Sequence, residues 1–264
     1  MAEQHASFAD GALAARPRIR KITVADLRNA LARGIDDFTA MPSHAIFLCI
    51  IYPIVGLLLG GLTLGYTVLP LFYPLVTGFA LVGPLAGIGL YELSRRREQG
   101  LEVSAAHAFD VTHSPSLAAI ATLGVLLMAI FLLWLAIAKA IYQSLFGPEA
   151  PASVTSFLHE VMTTPAGWKL IILGNGIGLL FAILVLATSV VSFPMLIDRK
   201  VDALTAVQTS VRAVIANPVT MAIWGLIVAA LLAIGSLPLF VGLAVIMPVL
   251  GHATWHLYRK TVAF

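Results

Sequence analysis

Long runs without charged residues alternate along this chain with short basic segments. Lys, Arg, Asp and Glu are absent from Phe38 to Tyr91 and again from Ala213 to Tyr258. Each run is far longer than the roughly 20 residues that one helix needs to cross a hydrocarbon core of about 30 Å. Turn-forming residues at 65–70 and 235–238 divide each run. The pattern therefore predicts transmembrane helices at residues 44–64 and 68–91, and two more between 213 and 258.

Two further apolar stretches, residues 117–138 and 168–196, complete a set of six predicted spans. The fold predicted is all-α: a polytopic membrane protein with one six-helix domain over residues 19–264. Residues 1–18 are Ala-rich with scattered polar groups and have little to bury, so we predict a disordered cytoplasmic tail. This tail contains Glu3 and Asp10 and has no apolar core, so no cleavable signal peptide is expected.

Partly amphipathic, basic segments precede three prolines, Pro42, Pro115 and Pro218. In the first segment the polar side is formed by Arg28, Arg33, Asp36 and Asp37. The apolar stripes of the first and third segments are Val24, Leu27, Leu31, Ile35 and Phe38, and Leu204, Val207, Val211, Val214 and Ile215. Such stripes are typical of helices that lie in the membrane interface.

The recurrence of segment, proline and apolar run predicts a threefold internal repeat, with copies at 19–91, 92–197 and 198–260. Each copy would consist of one interfacial helix on the cytoplasmic side and a transmembrane hairpin. The shared residues are few and mostly apolar, and chance similarity between membrane segments is the competing interpretation.

Composition supports a membrane location. Hydrophobic residues make up 59% of the chain and charged residues 11%, with a mean hydropathy of +0.96, so a polar surface like that of a soluble protein is excluded. Of the 16 Lys and Arg residues, all but Lys139 and Lys169 fall on one side of the predicted topology. The positive-inside rule then places both termini in the cytoplasm. Membrane lipids, or another membrane protein, are the expected partners, and nucleic acid is not.

Three segments carry a resemblance to a known family: GFALVGP at 78–84, GLYELSRRRE at 89–98 and GHATWHLYR at 251–259. With these segments the chain resembles an uncharacterised bacterial integral-membrane family, catalogued as domain of unknown function 2189. The resemblance extends over about residues 19–264 and implies a multi-pass protein of the bacterial inner membrane. It implies no activity, substrate or catalytic residue.

Two histidines of the predicted sixth span, His252 and His256, lie four residues apart and therefore share one helix face. This spacing could hold a metal ion or contribute to a haem site, and His44, His107 and His113 are expected at the same membrane level. The plainer interpretation is a set of interfacial histidines that bond to carbonyls or headgroups. Apart from this haem or metal hypothesis, no cofactor is expected.

Charged residues flank the predicted second span. Glu92 has natural helical partners in Arg95 and Arg96, which predicts a structural ion pair. An anionic lipid headgroup or a partner protein could bind the basic residues of the two connecting loops, which could equally be a plain topology signal. These basic residues are Arg95, Arg96, Arg97, Arg199 and Lys200.

The predicted function rests mainly on two features that the sequence lacks: charged residues in the middle of the predicted spans and catalytic motifs. No charged residue lies in the middle of a predicted span, which argues against a pump, and no recognisable catalytic motif occurs. We therefore predict an inner-membrane protein without catalytic activity, in an accessory, structural or partner-binding role. One alternative is a transporter or channel for a small neutral or anionic solute, lined by broken helices at 83–89 and at Phe193-Pro194. The other is a haem- or metal-binding subunit of a membrane redox complex.

Overall fold

The computed structural model describes residues 17–41 and 69–264, with Ile54 and Leu58 as single residues between them. The predicted first span, residues 44–64, and with it His44, lies outside the described residues. The strands and helices, in chain order, are β1 (Arg18–Ile19), α1 (Val24–Ala40), α2 (Phe72–Phe79), α3 (Gly83–Ala86), α4 (Ile88–Glu98), α5 (Leu117–Phe146), α6 (Val154–Thr163), α7 (Pro165–Ser189), α8 (Ser192–Asp198), α9 (Ala203–Ala216), α10 (Pro218–Ser236), α11 (Leu243–Thr261) and β2 (Val262–Ala263). Short 3₁₀ turns lie at Leu69–Leu71, Ala80–Val82 and Ala105–His113.

Four helical stretches of the described residues are long and apolar enough to cross a membrane. They are Leu69–Glu98, Leu117–Phe146, Pro165–Asp198 and Pro218–Ser236, with mean hydropathies of 1.7, 2.7, 2.6 and 2.2. Large apolar side chains such as Ile172 and Leu180 of α7 point outward, which is typical of a lipid-facing surface. These stretches correspond to the predicted second, third, fourth and fifth spans.

The predicted sixth span forms helix α11, which falls short of the same criterion. Its second half carries polar and charged residues, including His252, His256 and Arg259. Most of that half is buried, with Trp255, Leu257 and Tyr258 among the least exposed large side chains. Helix α11 therefore lies largely inside the protein.

Helix α1 buries a different face from the one its apolar stripe predicted. Thr23 and Asp26 form a capping box at its start. Its buried residues are Leu27, Ala30, Gly34 and Asp37, whereas Val24 and Ile35 of the predicted stripe are exposed. The prediction that Asp37 lies on the polar side was wrong, because the small residues Ala30 and Gly34 let another helix approach this face.

That other helix is α11. A Cβ atom added to Gly34 would lie 2.7 Å from the Cβ and the backbone nitrogen of Ala253, and 2.8 Å from the carbonyl oxygen of Val249. Three glycines of α7, Gly174, Gly176 and Gly178, are also small residues that would allow close helix approach. A Cβ added to Gly178 would lie 3.2 Å from the Trp134 ring, whereas no described atom lies within 4 Å of one added to Gly174 or Gly176. Gly34 therefore marks a close contact between α1 and α11, and Gly251 marks another between α11 and α4, where an added Cβ would lie 2.5 Å from a side-chain carbon of Leu90.

Helix α9 repeats the behaviour of α1. It buries Ala206, Thr209, Ser210 and Ala213, while Leu204 and Ile215 of its predicted stripe are exposed. The corresponding middle segment is a 3₁₀ turn, Ala105–His113, and not an α-helix. It follows Gly100, whose φ of +68° ends α4.

The three segments pack in a regular order: α1 on α11, the 3₁₀ turn at Ala105–His113 on α4, and α9 on α7 and α8. The ends of the described chain lie side by side, because β1 and β2 pair antiparallel with Arg18 opposite Ala263. Asn217 joins this region to the α9–α10 corner. Its side-chain oxygen accepts from the backbone N–H of Ile22 at 2.9 Å, and its nitrogen donates to the carbonyl of Arg20 at 3.1 Å.

Candidate functional site

Charged side chains collect where the C-terminal ends of α4, α8 and α11 meet α1; we call this region the basic end. Asp37 of α1 lies at its centre and is 2% exposed. Its Oδ2 accepts hydrogen bonds from Ser94 Oγ at 2.6 Å and from His256 Nε2 at 2.8 Å, and its Oδ1 is bonded by Arg97. Asp37 thus joins α1 to α4 and α11 through one carboxylate.

The hydrogen bonds of Ser94 determine where the protons of this cluster lie. An ionised carboxylate can only accept, so the single hydroxyl proton of Ser94 is used toward Asp37. Ser94 Oγ also lies 2.7 Å from Nδ1 of His252, which must then carry the proton and donate. In the neutral imidazole, Nε2 of His252 then carries the lone pair, and this nitrogen has no hydrogen-bond partner among the described residues. The His252 side chain is 0% exposed, so this lone pair is sealed inside the protein.

The charge of Asp37 persists despite its burial. Burial raises the pKa of the Asp37 carboxyl, but the hydrogen bonds from His256, Ser94 and Arg97 outweigh this effect and lower the pKa from 3.8 to about 2. A lowered pKa means that the charged form stabilises the fold above the unfolded value of 3.8, and that this stabilisation is lost as the pH falls toward 2.

This shift predicts a stability change at acid pH only. The advantage of the wild-type chain over Asp37→Asn should stay constant from pH 8 to pH 5 and shrink by about 2 kcal/mol between pH 4 and pH 2. Thermal melting of both proteins in one detergent over this pH range measures the difference. Titratable groups that do not contact Asp37 contribute equally to both proteins and cancel in this difference. A difference that changes most between pH 8 and pH 5 would show that Asp37 is not the group responsible.

A second set of charges ties α11 to α4 and α8. Glu98 accepts from Trp255 Nε1 at 2.9 Å and from Arg259 at 3.2 Å. Asp198 accepts from the Tyr258 hydroxyl at 2.7 Å and from Arg259 at 3.3 Å. Arg259 therefore bridges the ends of two other helices, and the basic end is held together by ion pairs as well as by apolar packing.

Beside this network lies an open cleft of about 330 Å³, between the end of α4, the 3₁₀ turn and the α8–α9 connection. Val111, Leu196 and Ile197 supply apolar lining, and Ser114 to Ser116 bring the N-terminus of α5 to it. Its charged lining residues are Glu92, Arg95, Arg96, Asp110, Asp198, Arg199 and Lys200.

Four of the five basic residues suggested for headgroup or partner binding therefore line one cleft. Arg97 does not belong to this group, because it pairs with Asp36 and Asp37. Within the cleft, Glu92 and Arg95 form a two-bond ion pair at 2.6 and 2.8 Å. Arg96 bonds instead to Asp110 at 3.1 Å and to the carbonyl of Glu102 at 2.9 Å.

The candidate histidines do not all converge. His252 and His256 both border Asp37, but their bonded nitrogens face Ser94 of α4 and Asp37 of α1. His107 Nδ1 accepts from the backbone N–H of Ser104 at 3.0 Å, and His113 Nδ1 lies 3.2 Å from Thr112 Oγ1. Within residues 17–41 and 69–264 no three His, Cys, Asp or Glu side chains are placed to hold a metal ion.

The sequence alone did not single out Asp37, Ser94 and Glu98. Ser94 and Glu98 flank Arg95, Arg96 and Arg97 near the C-terminus of α4, where the three arginines are the most prominent feature of the sequence. One signal was available for Asp37: it continues the series Leu27, Ala30 and Gly34 at steps of three and four residues. A small-residue face of this kind favours close helix packing.

Residues 72–198 match the family described as "Predicted integral membrane protein (DUF2189)". This match confirms the resemblance to domain of unknown function 2189. It contains the motifs at 78–84 and 89–98, whereas the motif at 251–259, with both central histidines, lies outside it. No curated protein and no solved structure significantly matches the chain. The family description states a membrane location and no activity, so a role must be argued from the geometry.

Proposed function

We propose that this chain is an integral protein of the bacterial inner membrane that acts without catalysis, as an accessory or structural component. The observation that carries the proposal is the basic end, where ion pairs cross-link four helices. Asp37, Glu98 and Asp198 each accept from side chains of other helices. Ion pairs between helices hold the basic end rigid, as a surface on which another molecule docks must be; we call this surface the docking platform. No cofactor is part of the proposal.

The platform is built, we infer, from three copies of one unit. Counted back from Pro42 and Pro218, the residues at five, eight and twelve positions are buried in both α1 and α9: Asp37 and Ala213, Gly34 and Ser210, Ala30 and Ala206. The residues before these prolines cap their helices alike, Met41 with φ −136° and ψ 43°, and Asn217 with φ −131° and ψ 53°.

The packing order supports the same repeat. The second and third segments each pack on the helices just before them in the chain, the 3₁₀ turn on α4 and α9 on α7 and α8, while the first segment, α1, packs on α11. The last of these contacts returns from the third copy to the first. The units would thus close into a ring with pseudo-threefold symmetry, in which six membrane helices surround a collar of interfacial segments.

The outward side chains of the collar fit a position in the membrane interface. Ile35 of α1 and Leu204 and Ile215 of α9 are 51%, 66% and 72% exposed. These side chains point away from the bundle while the small-residue faces pack into it, as expected for helices that touch lipid or a membrane partner. Residues 18–19 pair with residues 262–263, and this contact supports an even number of spans with both ends in the cytoplasm.

The proposal is tested by purifying the tagged chain from its native membranes in a mild detergent and identifying stoichiometric lipid and membrane protein. We expect wild type to retain such a component, and Leu204→Ser with Ile215→Ser to lose it without losing thermal stability, because both side chains are exposed. Lys139→Gln with Lys169→Gln serves as a surface control on the opposite side. A wild-type chain that stays folded yet carries neither lipid nor protein would contradict the proposal.

A further inference from the structure

We propose that the cleft between α4, the 3₁₀ turn and the α8–α9 connection binds a phosphodiester headgroup that carries one negative charge and free hydroxyls, as in a phosphatidylglycerol-type lipid. The inference rests on the proposed membrane-embedded role. The cleft volume of about 330 Å³ lies within the range of roughly 300–1,000 Å³ found for small-molecule sites.

The cleft lies where a headgroup would be. Two stretches long and apolar enough to cross a membrane, Leu69–Glu98 and Pro165–Asp198, both end at its charged rim. Since the apolar part of a spanning helix matches the hydrocarbon core, residues just beyond it meet the headgroup layer. The side chains of Val111, Leu196 and Ile197 provide an apolar lining for the start of an acyl chain.

The N-terminus of α5 adds to the attraction for a phosphate. This helix is 30 residues long, and its N-cap residue Ser116 makes no side-chain capping bond. The first backbone N–H groups of such a helix are unpaired within the helix and carry partial positive charge, which favours a phosphate oxygen. Ser114, Pro115 and Ser116 all line the cleft. The N–H groups of Ser114, Ser116 and Leu117 are already bonded to Val111, to Ser114 Oγ and to the Ser114 carbonyl. The helix therefore contributes the partial positive charge of its N-terminus and not these hydrogen bonds.

The charge balance selects the class of headgroup. Four cations, Arg95, Arg96, Arg199 and Lys200, face the carboxylates of Glu92, Asp110 and Asp198, so the lining carries four minus three, or one, positive charge. A headgroup with one net negative charge neutralises it, whereas a zwitterion leaves a positive charge and a dianion creates a negative one. Asp110, with a side chain 47% exposed, can accept from a headgroup hydroxyl.

Arg199 and Lys200 provide the cleanest test, because both are exposed at the rim. The probes are dioctanoyl phosphatidylglycerol, dioctanoyl phosphatidylcholine and inorganic phosphate, added to the full chain in detergent, with binding followed by native mass spectrometry and by melting temperature. Arg199→Gln with Lys200→Gln should weaken phosphatidylglycerol binding about thirtyfold, since each of the two surface cations contributes on the order of 1 kcal/mol to attraction of an anionic lipid. Lys139→Gln with Lys169→Gln removes the same charge elsewhere and should leave binding unchanged.

The outcomes separate the sources of phosphate. Binding of phosphatidylglycerol alone, sensitive to the cleft variant only, supports the proposal. Equal binding of phosphatidylcholine, equal protection by inorganic phosphate, or equal losses in both double variants would each overturn it. None of these three negative results would contradict the accessory role, because a separate experiment tests that role: the purification of the chain from its native membranes. If the chain retained no lipid or protein in that purification, the accessory role would fail, and with it the basis of the proposed lipid site.

Discussion

Replacement of Asp37 by alanine is expected to destabilise the protein by about 3–5 kcal/mol, the usual effect of removing one partner of a buried ion pair. The change deprives Ser94, His256 and Arg97 of their shared acceptor. Arg97 would be left with its pair to Asp36, whose side chain is 68% exposed. Because Asp37 connects α1 to α4 and α11, we expect α1 to loosen first.

Thermal melting in detergent measures the effect of Asp37→Ala. For a chain of this size the loss corresponds to a decrease in melting temperature on the order of 10 °C. Asp36→Asn is the matched control: it is the neighbouring residue, shares Arg97 and is exposed, so its loss should be below about 1 kcal/mol. Faster backbone hydrogen exchange in α1 of the Asp37 variant would locate the change. Equal destabilisation by the two variants would contradict a central role for Asp37.

Substitution of Gly34 by valine is expected to separate α1 from α11. Its Cβ alone would lie 2.7 Å from the backbone nitrogen of Ala253 and 2.8 Å from the carbonyl oxygen of Val249, and backbone atoms cannot rotate away. Overpacking of this kind typically costs about 1–3 kcal/mol. The effect should reach the Asp37 cluster, since Asp37 lies one turn further along the same helix face.

The melting temperatures of Gly34→Val and Gly174→Val, compared with each other, isolate the loss of stability that is due to the steric clash with α11. Both changes place the same β-branched residue within a helix, but among the described residues no atom lies within 4 Å of a Cβ added to Gly174. Combining Gly34→Val with Asp37→Ala provides a second check. If both substitutions act by releasing α1 from α11, the double variant should lose less stability than the sum of the losses in the two single variants. Full additivity would show that the two residues act independently.

Much of the secondary structure could be predicted from the sequence, because it follows from local pattern. Thr23 and Asp26 have the spacing of a capping box and lie at the start of α1, and Pro218 lies at the first position of α10, where an N–H would have no partner within the helix. The middle segment was less predictable. Its apolar stripe is weak, and it forms a 3₁₀ turn after Gly100 in place of an interfacial helix.

The candidate site was only partly predictable, since a sequence shows which residues are basic but not which are paired. The lining of the cleft includes Arg95, Arg96, Arg199 and Lys200, all noted from their position at the ends of apolar runs. Arg97 is the exception, because an acidic residue on α1 draws it away. Likewise, the four-residue spacing of His252 and His256 predicted a shared face but not that one would bond Ser94 and the other Asp37.

What the sequence by itself determined was a helical membrane protein with a basic side. The length and apolarity of a spanning helix are set by the bilayer, and a helix satisfies its own backbone hydrogen bonds, so both are readable from consecutive residues. Only the tertiary structure decided that Asp37 is central. Its partners Ser94 and His256 lie 57 and 219 positions away, and its burial depends on how closely Gly34 lets α11 approach.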